Sequence, residues 1–341
     1  WILTMNKRIL RYKLCLGIIA MEGRGFEYPA DMVVGSNDRI YVPNRSRDEG
    51  ARGVRVSVLN IDSEYFGSFG FYGEKDGELI SPRCIAESLD GRLYVVDDRT
   101  NKISVFDHDG NFISRFGDSG KDCWELNGPS GICFDYDNNF YIVDSFNHRV
   151  QKVDSQGKFI LEFGNNDDVL SQLNLPWGIT VAPEGNVFVA DWGNDRIQRF
   201  SPKGDLVGTY GESGMGDGQF RGPSSVAVDD YGYMCVADWG NEQLQLLDPD
   251  GKFLMRTRGE SKLSEWATNF LKINNEEAEA RSRSNLEPKL DFDPSDPHEE
   301  SSHIEKLFWS PMSVKFDESF KLYVTESNRH RIQIYERGNS N

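Results

Sequence analysis

The sequence predicts an all-β fold, a six-bladed β-propeller of four-stranded antiparallel blades whose ring is closed by a strand from the amino end. Three observations predict it. Pro82, Pro129, Pro176 and Pro223 stand 47 residues apart, with Pro29 lying 53 before the first of them and Pro311 lying 88 after the last, which marks six units. Each unit repeats one script of short β-branched and aromatic runs separated by Gly-containing turns, and four short strands per repeat is the signature of a propeller. The last unit, Trp309 to about Tyr335, supplies only three strands, while an apolar stretch, Leu10 to Ala20, precedes the first unit.

The elements follow in order within each unit. A Pro-x-Gly-Ile-like start opens the first strand, as in Pro129-Ser130-Gly131-Ile132 and Pro176-Trp177-Gly178-Ile179. A turn such as Asp90-Gly91 or Glu184-Gly185 closes a hairpin, since Gly supplies the positive φ that tight hairpin turns require. A run such as Val187-Phe188-Val189-Ala190 forms the second strand and ends in an acid. A third alternating strand, a second turn (Lys203-Gly204, Asp250-Gly251) and a fourth strand ending in Phe/Tyr-Gly complete the unit. Pairing Leu10–Ala20 with the last unit removes an edge that would otherwise template aggregation. It also gives the basic-then-apolar amino end, Lys7 to Ala20, a role other than an export signal.

The units resemble the NHL repeat, named for its Asn, His and Leu positions. Asn147-His148-Arg149-Val150 comes closest to the name, and Asn194-Asp195-Arg196-Ile197 and Asn241-Glu242-Gln243-Leu244 hold the same place. The resemblance spans almost the whole chain, so residues 1–341 are expected to form a single NHL-type propeller. Residues 260–306 are read as an acidic insertion within the fifth repeat, contributing little to the core. Leu263–Ala280 is helix-compatible there, and the remainder has the composition of a mobile loop. The first unit carries an enlarged loop, Asn44 to Gly53.

Composition narrows the function. With 38 Lys+Arg against 55 Asp+Glu the formal charge is -17, and nucleic-acid affinity comes mainly from a basic footprint. Nucleic acid is therefore a disfavoured partner, although RNA binding is what the resemblance implies for some NHL propellers. No apolar run reaches the roughly 18–20 residues needed to span a bilayer. Five scattered cysteines without a CxxC suggest reduced thiols, and hence a cytoplasmic setting, with export as the alternative if the apolar amino end acts as a signal.

The recurring acids at the second-strand ends, Asp97, Asp144, Asp191, Asp238 and Glu326, with Asn44 in the first unit, read as structural. Lys102, Arg149, Arg196 and Arg331 stand five residues after their acids and suggest charge-assisted pairs. Residues that break the repeat are better candidates for function. The turns after the acids bring Phe146, Trp192 and Trp239 to one side of a channel mouth, and Arg45, Arg47, Arg99 and Arg329 to the other. Exposed Trp with Arg is the composition of a binding hot spot. The competing reading is that both tryptophans pack against the adjacent blade.

These residues point to an interaction or ligand-binding module that presents one propeller face to a protein, a peptide or a small molecule. The alternative is a channel-mouth enzyme, a metal-dependent lyase or a lactonase-like hydrolase. Among NHL propellers, the peptidyl-hydroxyglycine amidating lyases use a histidine trio on channel-lining strands, and the corresponding strand starts here carry no histidine. Lactonases of a related six-bladed family bind calcium through Glu, Asn and Asp, which would place calcium in the central channel. The run Gly211 to Gly218 superficially resembles a phosphate loop but sits at a blade-to-blade connection, where turn chemistry accounts for it.

Overall fold

A computed structural model describes residues 9–47, 49–165, 168–289 and 296–338. Six four-stranded antiparallel sheets form the blades of a propeller. From the channel outward, blade 1 runs Val33–Val34, Ile40–Asn44, Arg55–Leu59 and Tyr65–Phe69. Blade 2 runs Pro82–Glu87, Leu93–Asp97, Lys102–Phe106 and Phe112–Phe116, and blade 3 runs Pro129–Phe134, Phe140–Asp144, Arg149–Val153 and Phe159–Phe163. Blades 4 and 5 repeat the pattern from Ile179–Val181 to Leu206–Tyr210 and from Pro223–Val228 to Phe253–Thr257.

Blade 6 takes three strands from the carboxyl side, Pro311–Phe316, Leu322–Glu326 and Arg331–Gly338. Its outer strand is Ile9–Leu16, antiparallel to Arg331–Gly338 with Leu16 opposite Ile332. The amino-end strand therefore closes the ring as the sequence predicts. It stops at Leu16 because Gly17, at φ 106, turns the chain, and a Cβ there would strike the Phe26 ring and the His330 carbonyl.

The core lies between blades. The second and third strands are buried along most of their length because each blade packs against the next on both faces, and the second-strand runs are almost continuously apolar, as in Leu93-Tyr94-Val95-Val96. The blades converge on clusters such as that of Tyr94, Ile103, Ile132 and Phe140 between blades 2 and 3.

The segment between blades 5 and 6 departs from the sequence expectation. It forms helices at Glu265–Ile273, Asn275–Arg283 and Pro297–His303. Part of the stretch read as a mobile loop is thus helical, although Asp291 to Ser295 lie outside the described residues. The expectation that this segment adds little to the core is corrected by Trp266. Its indole is 2% exposed and packs with Leu16, Phe26, Ile40 and Ile332. The apolar spacing of Trp266, Phe270 and Ile273 marks a helix but does not say which blades Trp266 meets, which is why the sequence hides the contact. Asp48, in the enlarged loop of blade 1, also lies outside the described residues.

Candidate functional site at the channel mouth

The second strand of each blade ends at the face where the innermost strand begins, since Pro82 pairs with Asp97, Pro129 with Asp144 and Pro223 with Asp238. Two sets of residues therefore meet at one mouth: those just after each Pro, and the turns just after each acid.

The acids hold this geometry. Asp144, fully buried, accepts from Asn127 N–H, Asn147 Nδ2 and Arg149 Nε at 2.6 to 2.8 Å. Asp191 accepts from Asn174 N–H, Asn194 and Arg196, and Asp238 from Arg221 N–H, Asn241 and Gln243. Glu326 pairs with Arg331 at 2.7 Å. Burial pushes the carboxyls of Asp144, Asp191 and Asp238 up, against the pull of these donors. Blade 2 differs from the expected acid–base pairing. Asp97 is filled by the backbone N–H groups of Ile80, Ser81, Arg99 and Thr100, so Lys102 turns instead to Asp118 and the Gly117 carbonyl.

Trp192 and Trp239 each open a single 3-10 turn after their acids. They are half-buried, and a third indole that sequence reasoning passed over, Trp177, joins them. Ring centroids lie 5.8 Å apart for Trp177–Trp192 and 6.4 Å for Trp177–Trp239 and Trp192–Trp239. The Trp192 Nε1 is buried without a hydrogen-bond partner. Phe146, 61% exposed, lies on blade 3 against Gly128 and makes no described ring contact with this trio.

The arginines divide. Arg45 bonds to Ser81 Oγ and pairs with Asp98 at 3.2 Å, and Arg99 is exposed on the adjoining turn. Arg47 stacks on Tyr28 at 4.3 Å. Arg329 is held by its neighbours in blade 6 and by the segment between blades 5 and 6. Its guanidinium stacks on Trp309 at 5.2 Å and donates to the carbonyls of Ser301 and Ser302 in the segment between blades 5 and 6.

Arg83, which sequence reasoning also missed, projects from the position after Pro82. It is 7% exposed and reaches across the ring from blade 2 to lie 4.2 Å over the Trp177 ring of blade 4. The signal that finds both residues is variation at one column of the repeat. The position after each Pro reads Ala30, Arg83, Ser130, Trp177, Ser224 and Met312, and all six surround a neck of about 30 Å³. Below the neck Lys315 Nζ bridges Asp31 Oδ2 and the Ile85 carbonyl, each at 2.7 Å, while Asp31 also accepts from Ser313 Oγ and Ile85 N–H. This pair floors the mouth. Beyond it the channel widens to about 560 Å³ between walls that include Ile132, Val181 and Val228.

The calcium expectation meets an unsuitable donor set. Asp31 is the one carboxylate lining the neck, and the Lys315 ammonium already occupies the place of a cation beside it. Among the described residues no group of three His, Cys, Asp or Glu side chains is placed to hold a metal. The repeat histidines serve the backbone, with His148 Nδ1 accepting from Leu175 N–H and His330 Nδ1 from Tyr28 N–H.

No helix among the described residues is long and apolar enough to cross a membrane. The SMP-30/gluconolactonase/LRE-like family model matches residues 121–213, which fall within blades 3 and 4 and their flanks. No curated protein matches the chain. Solved structures similar to it include a streptogramin B lyase, 14% identical over 98% of this chain and 99% of that one, at a TM-score of 0.56. Another is virginiamycin B lyase from Staphylococcus aureus, 12% identical over 96% and 99% respectively, at 0.55. An auxiliary nutrient binding protein from Bacteroides thetaiotaomicron is 12% identical over 92% and 70%, at 0.61. At these identities the likeness is one of fold, and the chain is a six-bladed β-propeller with a local match to the SMP-30/gluconolactonase/LRE-like model.

Proposed function

We propose that the chain is a ligand-binding propeller whose working surface is the channel mouth bounded by Trp177, Trp192 and Trp239 on one side and Arg45 and Arg99 on the other. The mutual packing of three tilted indoles at the mouth supports this reading above all. The three indoles lie outside the buried clusters between blades and form a half-buried aromatic group beside cationic side chains. Platforms of this composition dominate the energetics of recognition. The solved relatives include lyases and a nutrient binding protein, and a shared fold does not choose between such activities.

We further infer that the repeats are of the NHL type. Asn147 and Arg149 both serve Asp144, and Asn194 and Arg196 both serve Asp191, which gives the Asn-x-Arg spacing a structural reason. Residues 1–341 then form one propeller, with residues 260–306 as an arm of its fifth repeat.

The test is a fragment screen against protein labelled with nitrogen-15 at tryptophan, read through the assigned indole N–H signals. Aromatic fragments are expected to move the signals of Trp177, Trp192 and Trp239. Trp239→Ala should weaken those fragments by about 2 kcal/mol or more. Shifts confined to Trp124 or Trp309 would refute the assignment of the face.

A further inference from the structure

Arg83 is a buried cation that makes no hydrogen bond or ion pair among the described residues. Among the described residues no carboxylate, carbonyl or hydroxyl accepts a hydrogen bond from its guanidinium, although a guanidinium carries five N–H donors. The contact with the Trp177 ring supplies no oxygen acceptor to the N–H groups. A charge held this deep is costly unless something neutralises it. The surrounding charges do not. Arg45 pairs with Asp98, and Lys315 pairs with Asp31, so three cations face two carboxylates around the neck. Burial pushes the Arg83 guanidinium down to about 10, with the neighbouring Arg45 adding to the effect. At neutral pH the group remains charged.

Resting on the reading that this mouth is the binding face, we propose that the neck is a carboxylate site: Arg83 takes a ligand's terminal carboxylate, and the ligand's flat apolar remainder lies on the tryptophans outside. The size of the neck argues for this class. About 30 Å³ admits a small polar group but not a ring, and the Lys315–Asp31 pair blocks deeper passage. The in-plane edge of a guanidinium matches a planar carboxylate through two parallel hydrogen bonds. Trp177 holds the Arg83 plane in position, so little side-chain freedom is lost on binding.

Calorimetry with 3-phenylpropionate, 3-phenylpropanamide and phenyl phosphate tests the assignment on the full chain. The acid is expected to bind at least about tenfold more tightly than the isosteric amide and more tightly than the phosphate, in keeping with a charge-assisted pair. Arg83→Met should abolish the preference for acid over amide, and Arg83→Lys, which keeps the charge without the fork, should retain only part of it. Should Arg83→Met fail to fold, the lysine variant carries the comparison. Equal binding of acid and amide, a preference for the phosphate, or no binding of the acid would each overturn the carboxylate site. Equal affinities with the three indole signals still moving would sink this proposal alone. Ligands that leave all three indoles unmoved would sink the mouth as well.

Discussion

Replacing Trp266 by Ala tests whether the segment between blades 5 and 6 is part of the structure or merely hangs from it. The helix Glu265–Ile273 begins at Ser264, whose Oγ accepts from Ala267 N–H and donates to the Gly17 carbonyl just past the ring-closing strand. Its first turn drives the Trp266 indole between Phe26 and Tyr65, with ring centroids 5.8 and 6.2 Å away, and Nε1 donates to the Ser63 carbonyl. Truncating a buried aromatic residue to Ala costs roughly 3–5 kcal/mol. Leaving the Ser63 carbonyl without its donor adds about 1 kcal/mol. An unfolding entropy of about 2.1 cal/mol/K per residue over 341 residues gives roughly 0.7 kcal/mol/K, so a loss of about 4 kcal/mol lowers Tm by roughly 6 °C. Scanning calorimetry of Trp266→Ala beside Ile273→Ala, whose side chain is 81% exposed on the same helix, reads the difference. A fall of less than 1 °C in the tryptophan variant, or equal falls in both, would refute the reasoning. Swapping all of 260–306 for a short linker should then destabilise by at least as much as Trp266→Ala.

Further outcomes follow from the same geometry. Removing residues 1–18 should strip the outer strand from blade 6 and expose Arg331–Gly338 as an open edge, giving oligomers in light scattering; a monomer with unchanged Tm would contradict it. Glu242 is buried against His298 and the Ser310 N–H, and burial pushes its carboxyl up to about 7 from 4.5. The folded state therefore holds a proton that the unfolded state releases first, so stability falls as pH rises from about 4.5 to 7, by up to about 3 kcal/mol. Glu242→Gln should flatten that part of the Tm–pH profile, and an unchanged slope would assign it elsewhere. His330, pushed down to about 4 by burial and by Arg47, works in the opposite sense: its contribution is full above pH 6.5 and fades as pH falls towards 4. His330→Gln should lessen the loss of Tm over that window.

The fold was legible because its information is repeated. The spacing of Pro82, Pro129, Pro176 and Pro223, the glycine turns and the missing fourth strand of the last unit state the architecture several times over, and an error at one blade is corrected by the next. The structural role of the strand-end acids was legible for the same reason, except at Asp97, where four backbone donors displaced the expected lysine. Tertiary structure alone decided the site. Arg83 and Trp177 are 94 positions apart in the chain and meet because the ring brings blades 2 and 4, separated by blade 3, to the rim of one neck. Arg329, counted with the mouth from its place in the repeat, is engaged there by carbonyls of a helix that no repeat predicts. Trp266 looks like one apolar residue among several in an amphipathic segment until blades 1 and 6 close around it. Periodicity encodes what every blade shares, through local strand and turn preferences. Contacts across the channel and between non-repeated segments depend on distances that only ring closure sets, so they leave no period in the sequence.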